Sequence, residues 1–303
     1  MGLSGWQYCA NINIDNTGNS NALSDYQQKV VLSSSNFDFS KANSDGSDIR
    51  FLDNDDSTLL SYWIESWDSS GQTATIWVKV PSIPASSNYT IYMYFGNASA
   101  TSASNGNATF EFFDDFSGDL SKWTVISGTD FSISNGVLVV QKTTTTEPKD
   151  TIRSNTLIGK EGIIEYKIKP ASGSDIAATL WVTGASNQAF WIAPHNGANI
   201  YYWNGAGWTR IASGTSYRTA GVWNDEKVIF TSDGNIEAYT NGNLAVSTTG
   251  QTPISGYVGV RLGAPTINYI DDFRVRKYTS PEPTTSVGTI RTVSNAIFFG
   301  CNF

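Results

Sequence analysis

Glu111-Phe-Phe-Asp-Asp-Phe116 follows a Ser-, Asn-, Gly- and Ala-rich run, and its core returns in shortened form as Ile270-Asp-Asp-Phe273. The pair reads as the first and last strands of one domain. Working outward, the repeat predicts a domain over 111–278, a separate module over 1–110, and a linker with a strand-forming tail over 279–303. Adjacent Asp residues on a strand point to opposite faces, so the doublets read better as a closing seam than as a paired acidic active site.

The stretch between the two copies is written in strands. Phe131-Ser-Ile-Ser134 and Val137-Leu-Val-Val140 flank an Asn-Gly turn, and Ile236-Glu-Ala-Tyr-Thr240 and Asn243-Leu-Ala-Val246 flank another. Asn-Gly between two alternating runs is a strong hairpin signal. The 1–110 module shows the same grammar, with strands expected near 6–14, 28–32, 48–52, 62–67, 74–80 and 89–95, and no segment carries a helical period. In it Ala74, Ile76, Val78 and Val80 share one face, as do Ile91, Met93 and Phe95, and these predict the core. The opposite faces carry Trp63, Trp67, Trp77, Tyr92 and Tyr94, an aromatic surface suited to packing against another body or to stacking on sugars. The fold class is all-β: two antiparallel β-sandwich or jelly-roll domains in tandem with a C-terminal strand-forming tail.

Two resemblances follow from these residues. Phe37-Asp-Phe-Ser-Lys-Ala-Asn-Ser-Asp-Gly-Ser-Asp-Ile-Arg-Phe51, Leu60-Ser-Tyr-Trp-Ile-Glu65, Ile76-Trp-Val-Lys-Val-Pro81 and Ile91-Tyr-Met-Tyr-Phe-Gly-Asn97 resemble a β-sandwich family of uncharacterised function, found in archaeal and bacterial surface proteins and in viral ones, over about residues 5–112. The opening Asp-Asp-Phe with its Trp123 strand, the Tyr239-Thr-Asn-Gly242 hairpin, Gly256-Tyr-Val-Gly259 and Ile270-Asp-Asp-Phe-Arg-Val275 resemble the concanavalin A-like, laminin-G-type jelly roll over roughly 111–278. That likeness implies a fold shared by lectins, glycosidases and spacers, and therefore no single activity.

Composition narrows the function. The net charge is −8, and only 15% of 303 residues are charged, with no Lys/Arg block, which removes the counterion-release term behind nucleic-acid binding. No apolar run reaches the roughly 20 residues of a membrane helix, so direct membrane insertion is not expected. Met1 to Trp6 has no signal-peptide pattern, which fits a trimmed or mature form, or a virion component released by lysis. The expected setting is extracellular, on a cell or virion surface.

The candidate binding residues are Trp191, His195, Tyr202, Trp203 and Trp208, whose rings suit a pyranose face. His195, the only histidine, also reads as a turn residue before Asn196-Gly197. Calcium is the one cofactor considered, at Asp114 and Asp271 where the seam's strands pair. Asn88, Asn97 and Asn107 begin N-glycosylation sequons. Cys9 and Cys301 are either a terminal clip or two free thiols.

The closest pattern to a glycosidase pair is Glu161-Gly-Ile-Ile-Glu165, but Ile163 stands where a middle acid is expected, and no catalytic residue is assigned. The leading expectation is a non-catalytic adhesion or receptor-binding protein taking glycans. A filament, sheath or capsid subunit joining other copies of itself through its C-terminal strand is the alternative, and a glycoside hydrolase the third. The apolar Ala296-Ile-Phe-Phe299 is expected to add a strand to a sheet edge, in its own chain or a neighbour's.

Overall fold

The structure is a computed structural model describing residues 3–128, 131–143, 150–182, 189–193, 197–203 and 207–293. The chain opens with seven strands: β1 (Tyr8–Asp15), β2 (Leu23–Ser33), β3 (Arg50–Leu52), β4 (Leu59–Leu60), β5 (Tyr62–Asp68), β6 (Thr73–Ile83) and β7 (Asn88–Phe95). Fifteen more follow: β8 (Phe112–Asp114), β9 (Trp123–Ser127), β10 (Phe131–Ser134), β11 (Val137–Gln141), β12 (Asp150–Ser154), β13 (Gly162–Lys169), β14 (Ala177–Val182), β15 (Ala189–Ala193), β16 (Asn199–Trp203), β17 (Trp208–Ser213), β18 (Asn224–Phe230), β19 (Ile236–Thr240), β20 (Asn243–Thr248), β21 (Tyr257–Leu262) and β22 (Ile267–Arg276). Two short ones, β23 (Thr284–Val287) and β24 (Arg291–Thr292), close the described chain. Helix is confined to Gly106–Thr109 and two 3₁₀ turns among the described residues. None is long and apolar enough to cross a membrane.

The chain divides into two compact units, Glu111–Tyr278 and a discontinuous one made of Met1–Phe110 with Thr279–Phe303. The second domain is thus an insertion, and the segment expected to be linker and tail belongs to the first domain. The reason lies in polar side chains that the strand pattern could not reveal. Asn19 Nδ2 donates to Thr279 Oγ1 (2.5 Å) and to Pro281 O (3.2 Å). Gln28 Nε2 donates to Pro283 O, and Tyr26 Oη to Glu282 Oε2. Beyond this strap β23 pairs with β1 from Ile12↔Val287 to Asp15↔Thr284, and β24 adds at Tyr8↔Thr292. The returning segment therefore fills an edge of its own chain's sheet. The apolar 296–299 run lies outside the described residues.

In the first unit the sheet β23-β1-β7-β3-β4 faces the sheet β2-β6-β5 across one core. Alternation decides which residues enter it: Ala74, Ile76, Val78 and Val80 of β6 and Ile91, Met93 and Phe95 of β7 are all buried there. The residues of opposite phase are not a bare aromatic platform. Trp63, Trp77 and Tyr94 are buried, with Phe110 set edge-on to Trp63 (5.6 Å) and Trp77 (6.0 Å). Trp77 Nε1 donates to Glu65 Oε2 at 2.8 Å, so its polar end is satisfied too.

The second unit is a two-sheet jelly roll. One sheet runs β10-β11-β22-β13-β18-β19-β20 with β8 also on β22, and the other runs β17-β16-β15-β14-β21-β12-β9. Their inner faces share a core that includes Ile164, Tyr166, Val228 and Phe273 from the first and Ile152, Leu180, Ile192 and Val260 from the second. The first and last strands of this unit pair through Phe112↔Val275, Phe113↔Arg274 and Asp114↔Phe273, while Asp271 and Asp272 lie beyond that pairing. Glu111 N donates to Val275 O at 3.0 Å, so the chain enters the insertion beside the point where it leaves.

This architecture makes a concrete prediction. Truncation after Tyr278 removes the strap's side-chain hydrogen bonds, worth about 1 kcal/mol each, together with the β1 edge. Residues 1–278 should show a first-domain unfolding transition about 3–5 kcal/mol less stable, with the 111–278 transition unmoved, in domain-resolved calorimetry.

Candidate functional site

Within the jelly roll, the seven-stranded sheet presents its non-core face as the candidate site. Ala178, Leu180, Ile192, Ile200, Val258 and Val260 point inward. Residues of opposite phase therefore point away from the core. Register aligns Arg210, Tyr201, Trp191, Thr179, Gly259 and Arg153 in one row across six strands, β17 to β12. The next position along β16 adds Trp203, which pairs with Trp208 of β17, their rings 5.3 Å apart.

Two arginines lie on aromatic rings of this face. The Arg153 guanidinium is 3.8 Å from the Tyr257 ring centroid, and that of Arg261 is 4.9 Å from the Trp208 ring. The second contact reports shape. Arg261 on β21 and Trp208 on β17 are four strand spacings apart, about 19 Å on a flat sheet at roughly 4.8 Å each, so the face curls toward its own middle to bring them together. Gly259 contributes no side chain to the row. Beside it the Thr179 hydroxyl is buried with no hydrogen-bond partner among the described residues. A β-bulge between Thr179 and Val182 turns the next large side chain, Trp181, into the core against Phe190 and Phe230. Trp181 takes φ +55° there, a strained conformation for a bulky residue.

The expected binding residues divide accordingly. Trp203 and Trp208 meet on the outer face. Tyr202 is in the opposite phase and packs against the core beside Phe190, ring centroids 5.1 Å apart, which removes it from the set. Trp191 is placed by its backbone pairing with Thr179 and Tyr201, and His195 lies outside the described residues. Reading the sequence missed Tyr201, Tyr257, Thr179 and the arginines. Their outward phase within Thr151-Ile-Arg153 and Gly259-Val-Arg261 was available, but not the strand order that joins them.

The seam aspartates do not fit a calcium site. Asp114 is buried, with Oδ1 accepting from Phe116 N and Lys122 Nζ and Oδ2 from Trp123 Nε1 (2.6 Å). Its charge is met by the Lys122 ammonium at 3.2 Å. Asp271 has different company. A bulge with Asp272 at φ +51° gives Lys167 to Asp272, while burial first, and then the Asp272 and Asp115 carboxylates, push Asp271 up to about 6. Among the described residues no group of three or more His, Cys, Asp or Glu is placed to hold a metal.

The glycosidase-like pair sits elsewhere. Glu161 is exposed ahead of β13, and Glu165 belongs to the sheet opposite the aromatic face. Burial would raise the Glu165 carboxyl, but Arg276 (3.1 Å) and Arg274 (3.0 Å) outweigh it and hold it at about 2. A carboxyl so firmly ionised is a poor proton donor near neutral pH. Of the sequon asparagines, Asn88 and Asn107 are exposed and Asn97 is half-buried, its Oδ1 accepting from Ser99 N. Cys9 is a buried free thiol, and Cys301 lies outside the described residues.

Comparison with known proteins adds the following. Residues 45–126 match the model of a Domain of unknown function (DUF2341), a span that runs from before β3 into β9. No curated protein matches the chain. Among solved structures, the carbohydrate binding module CBM66 from Bacillus subtilis is 11% identical, with a TM-score of 0.44, 52% of this chain and 96% of that one being covered. A Bacillus subtilis protein of unknown function with a galectin-like fold is 12% identical (TM-score 0.46; 55% and 94%). The Bacillus licheniformis β-glucanase is 16% identical (0.44; 55% and 98%). Similarity this low implies no shared ligand or reaction.

Two predictions concern the carboxylates. Replacing Glu165 by Gln leaves Arg274 and Arg276 buried without their counter-charge and should cost about 3–5 kcal/mol in urea unfolding; an unchanged midpoint would mean that the cluster is not structural. For Asp271 the folded carboxyl sits above its ordinary value of 3.8, so the native state binds the proton more tightly than the unfolded chain. Its ionisation therefore destabilises the fold above pH 6, and the penalty disappears as the pH falls through 6 toward 4. Asp271→Asn should raise the Tm at pH 7.5 and leave it unchanged at pH 4, as read by differential scanning fluorimetry.

Proposed function

We propose that the protein is a non-catalytic glycan-binding protein whose jelly roll takes a saccharide chain along the non-core face of its seven-stranded sheet. The observation that carries this reading is the Trp203–Trp208 pair on a face that curls inward, with Tyr201 and Tyr257 on the same surface. Sugar rings have apolar C–H faces that pack on aromatic rings and hydroxyl edges that need hydrogen-bond partners. A face combining Trp and Tyr rings with arginine N–H groups supplies both kinds of contact.

In this reading the protein works outside the cell, on a cell or virion surface, where it serves adhesion or receptor binding. The first domain is the mount, and the inserted domain the reader of the ligand. An insertion with adjacent ends suits that division of labour, because the scaffold's core is complete without the inserted body's residues. Hydrolysis is disfavoured by the ion-paired state of Glu165 and its place on the other sheet. Assembly into a filament through the C-terminal strand would have to use residues other than 284–292, which already complete the chain's own sheet edge.

Trp203→Ala and Trp208→Ala should each weaken binding of a glycan-array hit by about 10- to 30-fold, the loss of roughly 1.5–2 kcal/mol of ring contact. Calorimetric titration measures it, with circular dichroism to confirm that each variant is folded. Undiminished affinity in both variants would place the ligand elsewhere.

A further inference from the structure

We infer that the ligand is an anionic polysaccharide, one bearing carboxylate or sulfate groups, and that Arg153 and Arg210 read its charges from opposite ends of the aromatic row. The inference rests on the glycan-binding reading above and adds the chemical class. It starts from how charge is distributed. The chain as a whole has 27 acids against 19 Lys and Arg, yet the seven strands of the aromatic sheet carry Arg153, Arg210 and Arg261 against one acid, Asp150, at the start of β12. The opposing sheet carries seven acids on β8, β13, β18, β19 and β22 against five cations, Lys167, Lys169, Lys227, Arg274 and Arg276. The aromatic sheet is thus the one of the two in which basic side chains outnumber acidic ones.

The Arg153 and Arg210 guanidinium groups differ from the ion-paired arginines of this domain. Arg274 and Arg276 on the opposing sheet, and the buried Arg218, each meet a carboxylate within 3.1 Å. Arg153 and Arg210 have no carboxylate partner among the described residues, and Arg210 is exposed. Arg153 donates Nη1 to Ser154 O at 2.7 Å, while its Nε has no partner. A guanidinium lying 3.8 Å above Tyr257 is fixed in orientation by the ring, which leaves the N–H donors that Ser154 O does not take for a carboxylate or a sulfate.

The row sets the two cations on different strands. Arg210 and Arg153 end a row that crosses six strands, with Tyr201 at one side of its middle and, at the other, Thr179 and Gly259. The curl that sets Arg261 on the Trp208 ring draws the two ends of this row toward each other, so the two cations can meet one acidic ligand from two sides. The Thr179 hydroxyl, unpartnered among the described residues, lies buried beneath the row between them.

The test uses the full chain and two matched pairs of polymers in calorimetric titration: polygalacturonate against its methyl ester, and a sulfated galactan against agarose. The expected result is at least 30-fold tighter binding of the acidic member of one pair, weakening steeply between 50 and 300 mM salt. Whichever pair discriminates identifies the charged group. Arg153→Gln and Arg210→Gln should each lose about 10-fold on the acidic polymer, while Lys160→Gln, an exposed change outside the face, should lose nothing. Equal affinity for acidic and neutral members, with the Trp variants still weakening both, would overturn the inference and leave the glycan reading standing. Binding to none of the four polymers would overturn both, and full affinity in the two Arg variants would overturn the assignment of these residues.

Discussion

The β8–β22 pairing is the constraint on which the rest of the structure depends. It brings the two ends of a 111–278 segment side by side, and so allows a whole jelly roll to interrupt another domain without splitting that domain's core. The residues that make the pairing have different duties. Phe112 and Phe273 bury their rings around Trp123, with centroids 5.1 and 5.2 Å from its ring. Asp114 ties the Trp123 indole and the Lys122 ammonium to the seam. A buried carboxylate so provided with donors is a structural clamp, and its satisfaction explains why the same acid makes a poor calcium ligand.

The two faces of the jelly roll have been given opposite electrostatic characters by ordinary strand alternation. On one sheet, outward positions hold compensated charge, as in Glu165 with Arg274 and Arg276. On the other, outward positions hold aromatic rings together with Arg153 and Arg210, which have no carboxylate partner among the described residues. Compensated clusters stabilise or rigidify a fold, whereas uncompensated cations beside rings store an interaction for something that arrives later. The strained Trp181 adjoining the Thr179 row is consistent with the same division, since backbone strain concentrates where a surface is shaped for a ligand.

Much of this was legible in the residues. The Asp-Asp-Phe repeat and the Asn-Gly hairpins depend on local chemistry, and they marked the inserted domain's ends and its turns. The core of the first domain followed from period-two alternation in β6 and β7. What was hidden depended on which strands become neighbours. Tyr202 and Trp203 are adjacent in sequence, and only the register of β15 to β17 decides that one enters the core and the other faces out. The 279–287 strap has no strand alternation and reads as a linker, because its order comes from Asn19, Tyr26 and Gln28, more than 250 residues away in sequence. Arg153, Arg210 and Arg261 are scattered through the chain and become one surface only through sheet order.

Hydrogen–deuterium exchange of the full chain with and without a bound acidic polysaccharide tests the central claim most directly, because it locates the contact without presuming which side chain makes it. The account predicts slowed exchange concentrated in β12, β16, β17 and β21, with the β13, β18 and β22 strands unchanged. Protection confined to those latter strands, or to the first domain, would contradict it.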